Sequence, residues 1–216
     1  MTPTSKPAAA TAANLTFAEA FSPETGAALA AREKADELGV PAISTGTAAL
    51  LTFLATTIKA HNAVEIGTGT GVSAIALLSG MAPDGVLTSI DAEPELQLEA
   101  RTVLNSAGIP SRRARLIAGD ALTVLPKLTD GAYDLVFANG DPLEYVEYVA
   151  QAVALLRPGG ILVLHHALWQ GKVADALNEE DEPIIIREAL DAVAALEDFT
   201  SVLVPLGDGL VMAVRR

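Results

Sequence analysis

Five short aliphatic runs, "AVEIG" at 63–67, "VLTSI" at 86–90, "ARLIAG" at 114–119, "YDLVFA" at 133–138 and "GILVLHH" at 160–166, recur with helix-length segments between them. This rhythm limits the fold more than any other feature of the chain. Strands that are apolar throughout are buried on both faces, and strands that alternate with helices form a parallel sheet covered on each side. The intervening segments read as helices over Val72–Gly80, Pro94–Gly108 with proline in its first turn, Ala121–Leu128 and Glu144–Leu156, the last stopping before "RPGG".

The flanks follow a different pattern. Ahead of the first run, "TFAEAF", "ETGAALAAREKADELG" and "TGTAALLTFLATTIKA" carry apolar residues at helical spacing. After a further helix over Pro183–Glu197, "FTSVLVPLG" and "GLVMAVRR" read as two strands joined through "PLGDG", a hairpin signal that adds an antiparallel strand. The opening "MTPTSKPAAATAAN" is rich in Ala, Thr and Pro and lacks the apolar centre of a signal peptide, so a disordered tail over 1–14 is expected. One domain then follows over 15–216, with N-terminal helices in 15–62 and the sheet-forming core in 63–216.

Charge narrows the partners. The chain has 27 acidic against 14 basic residues and a formal net charge of −13, which repels phosphate backbones and anionic lipid, so neither nucleic acid nor a membrane is an expected partner. No run of about 18 apolar residues is present for a membrane span. The absence of cysteine rules out disulfides and thiolate metal sites and removes one argument for export, which leaves the cytoplasm as the expected location.

The stretch "VEIGTGTGVSAIAL", Val64 to Leu77, ends a strand, turns on glycine and opens a helix, where a doubly wound sheet binds nucleotide-like ligands. Gly67, Gly69 and Gly71 are spaced G-x-G-x-G, whereas a dinucleotide fingerprint reads G-x-G-x-x-G. Asp91 closes the second run, at the position from which a carboxylate accepts both ribose hydroxyls, and Gly119 and Asp120 close the third, where they would flank a base. A glycine turn alone also suits any tight strand-to-helix connection. The joint spacing of turn and acids is what favours a nucleoside site.

In this order and spacing, "EIGTGTGVSAIAL", "SIDAEPE", "AGDALTVLPKL", "YDLVFANGD", "LLRPGGILVL", "ALWQGKVAD" and "PLGDGLVMAVRR" resemble the S-adenosylmethionine-dependent methyltransferases, from about Ile43 to the C-terminus. Within them the resemblance is to the catechol and caffeoyl-CoA O-methyltransferase-like branch, especially its small bacterial members. It implies a Rossmann-like class I α/β fold: a seven-stranded, mostly parallel sheet with an antiparallel last strand and helices on both faces. It further implies that Glu65 holds the methionine ammonium, that the backbone at Ile43, the Gly67, Thr68 and Gly69 turn and the Ser73 hydroxyl hold its carboxylate, and that Asp91 takes the ribose. Asp120 and Ala121 would line the adenine, Asn139 would border the cofactor, and the N-terminal helices would cover it or form a homodimer surface.

The chain departs from the family at its metal site. The family commonly holds magnesium with an aspartate after the fourth strand and an Asp-Asn pair after the fifth, and a lysine three residues beyond the first aspartate helps deprotonate the acceptor. Here those positions read Asn139, His165, His166 and Pro142. Replacing two carboxylates by neutral groups removes most of the charge a hard cation requires, so a family-style magnesium site is not expected.

Three readings of the histidine pair stay open. One histidine is a base that takes the acceptor's proton; or Asn139, His165 and His166 hold a softer metal, which requires the strand to end by Leu164, since strand neighbours point to opposite faces; or both fill space. Asp141 is at best a support to these residues, Trp169 lies near the acceptor, Tyr145 and Tyr148 read as structural, and His61 as a solvated surface residue. The expected activity is methyl transfer to a hydroxyl of a small, aromatic acceptor. A degenerate S-adenosylmethionine-binding protein is the alternative, and a nucleotide-dependent oxidoreductase is disfavoured by the glycine spacing and Glu65.

Overall fold

The computed structural model describes residues 11–216, so positions 1–10 of the expected tail lie outside the described residues. Positions 12–14 belong to a helix, α1 (Ala12–Glu19), because Thr11 and Asn14 form a reciprocal capping box at its start. Two further helices precede the sheet, α2 (Gly26–Leu38) and α3 (Thr45–Thr57), capped by the Thr25 and Ser44 hydroxyls. The core then runs β1 (Asn62–Ile66), α4 (Val72–Gly80), β2 (Val86–Asp91), α5 (Pro94–Ser106), β3 (Ala114–Ala118), α6 (Ala121–Val124), β4 (Tyr133–Ala138), α7 (Tyr145–Leu155), β5 (Leu156–Leu164), α8 (Asp181–Ala194), β6 (Phe199–Val204) and β7 (Leu210–Arg215).

The seven strands are ordered β3-β2-β1-β4-β5-β7-β6. The first five are parallel, and β7 runs antiparallel to both β5 and β6, as the hairpin signal requires. Alternate residues of each strand serve opposite cores. Ala63, Leu87, Leu135 and Val163 pack against α2 to α5, whereas Val64, Ile90, Val136 and Leu162 pack against α6 to α8.

Two boundaries differ most from expectation. The strand expected from 160 begins at Leu156 and passes through "RPGG", with an irregularity that pairs Tyr133 with Leu156 but Leu135 with Ile161. The helix expected over Ala121–Leu128 stops at Val124 and tightens into a single 3₁₀ turn, Leu125–Lys127, at Pro126. Among the described residues no helix is long and apolar enough to cross a membrane.

Candidate cofactor and acceptor site

The strand order reverses between β1 and β4, and the crevice outside their carboxyl ends is where such sheets bind ligands. Gly67, just past β1, and Asn139, just past β4, meet there: a Cβ at Gly67, whose φ is +88°, would lie 2.3 Å from the Asn139 carbonyl oxygen. Only glycine allows the two strand ends to approach this closely. Both residues border three adjoining cavities that together form one cleft.

The first arm, of about 310 Å³, is lined by Asp91, Gly119, Asp120 and Ala121. Asp91 accepts the Gly69 amide through Oδ2 at 2.8 Å and the Glu93 amide through Oδ1 at 2.9 Å. These bonds fix the carboxylate at the cleft's lip while each oxygen keeps a lone pair. Asp120 caps α6 through Oδ1, 2.9 Å from the Thr123 amide, which leaves Oδ2 for another donor. A narrow second arm of about 20 Å³ is bordered by Ile43, Thr68, Gly69 and Ser73. The segment carrying Ile43 is held in place by Arg32, which donates to the Ile43 carbonyl at 2.8 Å and is itself clamped by both Glu24 oxygens at 2.9 and 2.6 Å.

Glu65 is fully buried and lines none of the three arms. Strand alternation sends it to the same side of the sheet as Ala63, where Ser89 donates to its Oε2 at 2.5 Å. Burial pushes its carboxyl up to about 7, against the Ser73 and Ser89 hydroxyls that hold it down, and Asp91 adds to the rise. A chain of hydroxyls and an amide continues from it: Thr68 Oγ1 lies 2.5 Å from Ser89 Oγ, and Gln97 Nε2 donates to Thr68 at 2.8 Å. Thr68, itself part of the glycine turn, thus ties that turn to β2 and α5.

The third arm, of about 280 Å³, is lined by Val40, Pro41, Leu96, Trp169 and the two histidines. The strand does end at Leu164, and His166 takes a left-handed φ of +54°, so consecutive rings turn into the same arm, with centroids 4.0 Å apart. His165 is 3% exposed, with Nδ1 2.7 Å from Asn139 Oδ1, and its Nε2 has no hydrogen-bond partner among the described residues. Burial, and then the neighbouring His166, push His165 down to about 3. His166 is partly exposed, its Nδ1 lies 2.9 Å from Asp208 Oδ2, and Trp169 meets its ring edge-on at 5.5 Å.

Asn139, His165 and His166 make hydrogen bonds within the protein. The Asn139 oxygen and His165 Nδ1 bond to each other, and His166 Nδ1 is taken by Asp208. Among the described residues no three His, Asp or Glu side chains are grouped to hold a metal. The donor set does not fit the family's magnesium. Tyr148 borders the first arm with its hydroxyl on Glu144 at 2.5 Å, Tyr145 is fully buried, and His61 lies at the surface beside Asp84. Asp208, Arg32 and Leu96 were not indicated by the sequence; "PLGDG" signalled only the turn that carries Asp208.

Residues 27–216 match the model of the O-methyltransferase family. A protein of Mycobacterium sp. strain JLS named as an O-methyltransferase is 49% identical over 186 residues, which span 86% of this chain and 84% of that one. A relative so named from Mycolicibacterium smegmatis is 46% identical over 201 residues, 93% of this chain and 96% of its own. Among solved structures, the O-methyltransferase TomG of Streptomyces achromogenes, determined with S-adenosylmethionine, superposes with a TM-score of 0.84 at 28% identity, covering 94% of this chain and 95% of TomG. With a family model spanning most of its length and relatives near half identical, the chain belongs to the O-methyltransferase family.

Proposed function

We propose that this protein transfers a methyl group from S-adenosylmethionine to a hydroxyl of a small aromatic acceptor, without a magnesium site. One observation carries the reading: the turn and acids suited to a nucleoside, and the histidine pair, border a single cleft joined at Gly67 and Asn139. The bound cofactor supplies a sulfonium methyl group. Asp91 offers lone pairs to the ribose hydroxyls, Asp120 and Ala121 border the base, and Ile43, Gly67, Thr68, Gly69 and Ser73 surround the methionine end.

The apolar walls of the third arm, Val40, Pro41, Leu96 and Trp169, exclude water and hold an aromatic ring flat, so that alignment supplies much of the acceleration. His166 takes the hydroxyl proton, while His165, buried and neutral, holds Asn139 in place. Among the described residues the three arms are bordered by Asp91, Asp120, Asp141 and Glu144 and by no lysine or arginine, which supports an uncharged acceptor over a phosphate-bearing thioester.

A homodimer belongs to the same reading, supported by Phe17 on α1, Phe21 just past it and Phe53 on α3, which are 75%, 78% and 65% exposed. A cytoplasmic location rests on composition alone. Calorimetric titration with S-adenosylmethionine, followed by a screen of uncharged phenols with and without EDTA, tests the proposal. Binding together with methylated product is expected; binding with no product across the screen favours the degenerate alternative, and absence of binding overturns both.

A further inference from the structure

We propose that Asp208 is the positioning residue of a metal-independent proton acceptor, fixing His166 in the form with Nδ1 protonated and Nε2 bare. The inference rests on the methyltransferase reading and names a residue that the sequence marked only as part of a turn.

A carboxylate only accepts hydrogen bonds, so the imidazole nitrogen 2.9 Å from Asp208 Oδ2 is the one that carries hydrogen. A neutral ring has one such nitrogen, and Nε2 is left as its basic site on a ring that lines the acceptor arm. The carboxylate is itself held: Asp208 Oδ1 accepts the Gln170 amide at 2.6 Å, and the Asp208 carbonyl accepts the Leu168 amide at 2.9 Å. Beside it the Gly209 carbonyl accepts the Ala167 amide at 3.1 Å. Thus the β6–β7 turn and the segment after β5 are joined at both backbone and side chain.

The joined segment is strained. His166, Trp169 and Gln170 have φ of +54°, +44° and +55°, a region that side chains other than glycine rarely adopt and keep only where surroundings force it. Such strain holds the ring in one orientation, between His165 on one side and Trp169 on the other. The same turn is anchored from behind, since Glu19 accepts the Gly207 amide at 2.7 Å and the Gly46 amide at 2.7 Å. His165 does not share the role, because its Nδ1 is committed to Asn139 and the side chain is buried.

In the transfer the acceptor hydroxyl gives its proton to His166 Nε2 as an oxygen lone pair forms the new O–C bond. The S–C bond breaks with its electron pair left on sulfur, which cancels the sulfonium charge. The imidazolium, stabilised by Asp208, then releases the proton to solvent.

Long-range ¹H–¹⁵N spectra of the ligand-free protein, with H166Q to assign the ring, test the geometry directly. The wild type at about pH 8 is expected to show His166 as the Nδ1–H tautomer, and D208N to lose that preference. An Nε2–H tautomer in the wild type, or an unchanged tautomer in D208N, overturns the proposal whether or not any phenol is turned over. With methyl 4-hydroxybenzoate and methyl 3,4-dihydroxybenzoate as probes, D208N is expected to lower kcat about 10²-fold with KM for S-adenosylmethionine unchanged, and D208E to recover part of it. Unchanged kcat in D208N also overturns it. Failure of the wild type to bind S-adenosylmethionine would instead sink the methyltransferase reading and leave the tautomer result standing.

Discussion

Asp91 Oδ2 and the Gly69 amide lie 2.8 Å apart, so the acid closing the second strand is tied to the turn that follows the first. One bond thereby sets the width of the cleft mouth. D91A removes the proposed acceptor of the ribose hydroxyls and frees the turn together. Hydrogen bonds to a charged group contribute roughly 1.5–3 kcal/mol, so the variant is expected to weaken S-adenosylmethionine binding by about 10²-fold in a calorimetric titration. D91N, which keeps one acceptor oxygen, should fall between; equal binding by all three proteins would remove Asp91 from the site.

Gly67 and Gly69 separate folding from binding. At Gly67 an added Cβ meets the Asn139 carbonyl at 2.3 Å, and neither strand end can withdraw without breaking the sheet, so G67A is expected to lower stability by more than about 2 kcal/mol. At Gly69, with φ +52°, an added Cβ meets nothing within 4 Å. G69A therefore costs only the left-handed strain, about 1–2 kcal/mol, while placing a methyl group in the cleft. Urea unfolding should rank G67A as the less stable, and G69A should retain the fold with weakened cofactor binding.

Two buried groups make opposing contributions to stability as pH changes. Glu65, ordinarily near 4.5, is pushed up to about 7, so between these values the folded chain keeps a proton that the unfolded chain releases and stability falls as pH rises. His165, ordinarily near 6.5, is pushed down to about 3, so within that window the unfolded chain takes a proton the folded chain refuses and stability rises with pH. Each slope is about 1.4 kcal/mol per pH unit, and they oppose each other where the windows overlap. E65Q removes the falling limb. Relative to wild type it should gain stability steadily from about pH 5 to 7 and level off above, measured by urea unfolding at each pH; a parallel offset at all pH values would mean that Glu65 titrates normally.

Much of the cleft was legible because its parts are local in sequence. The glycine turn lies between a strand and its helix, and Asp91 at the end of the next strand, so periodicity and spacing located them within a residue. The link between His166 and Asp208 was not legible, because it joins residues 42 apart and depends on how a hairpin seats against a loop. The same holds for Glu19 and Gly207, which are 188 apart. Glu65 is different. The family resemblance implied an ammonium partner for it, and the period-two rule assigns it to the face shared with Ala63, beneath the turn. The start of β5 was hidden because Pro158, Gly159 and Gly160 signal a loop, and only the pairing of Leu156 with Tyr133 extends the strand across them.

Divalent cations should leave this protein unaffected, and the reason lies in bonds already formed. Asn139 and His165 satisfy each other at 2.7 Å, and His166 is held by Asp208 at 2.9 Å, so without breaking a pair a cation could reach only the two imidazole Nε2 atoms, too few ligands for a stable site. A ligand that binds only the folded state at a hundred times its Kd adds about 2.7 kcal/mol, which raises the melting temperature of a domain this size by several degrees. Neither Mg²⁺ nor Zn²⁺ at millimolar concentration is expected to produce such a rise, and EDTA should leave turnover of phenols unchanged. A saturable rise with Zn²⁺ that disappears in H166Q would restore the metal reading of the histidine pair, and with it a different source for the acceptor's activation.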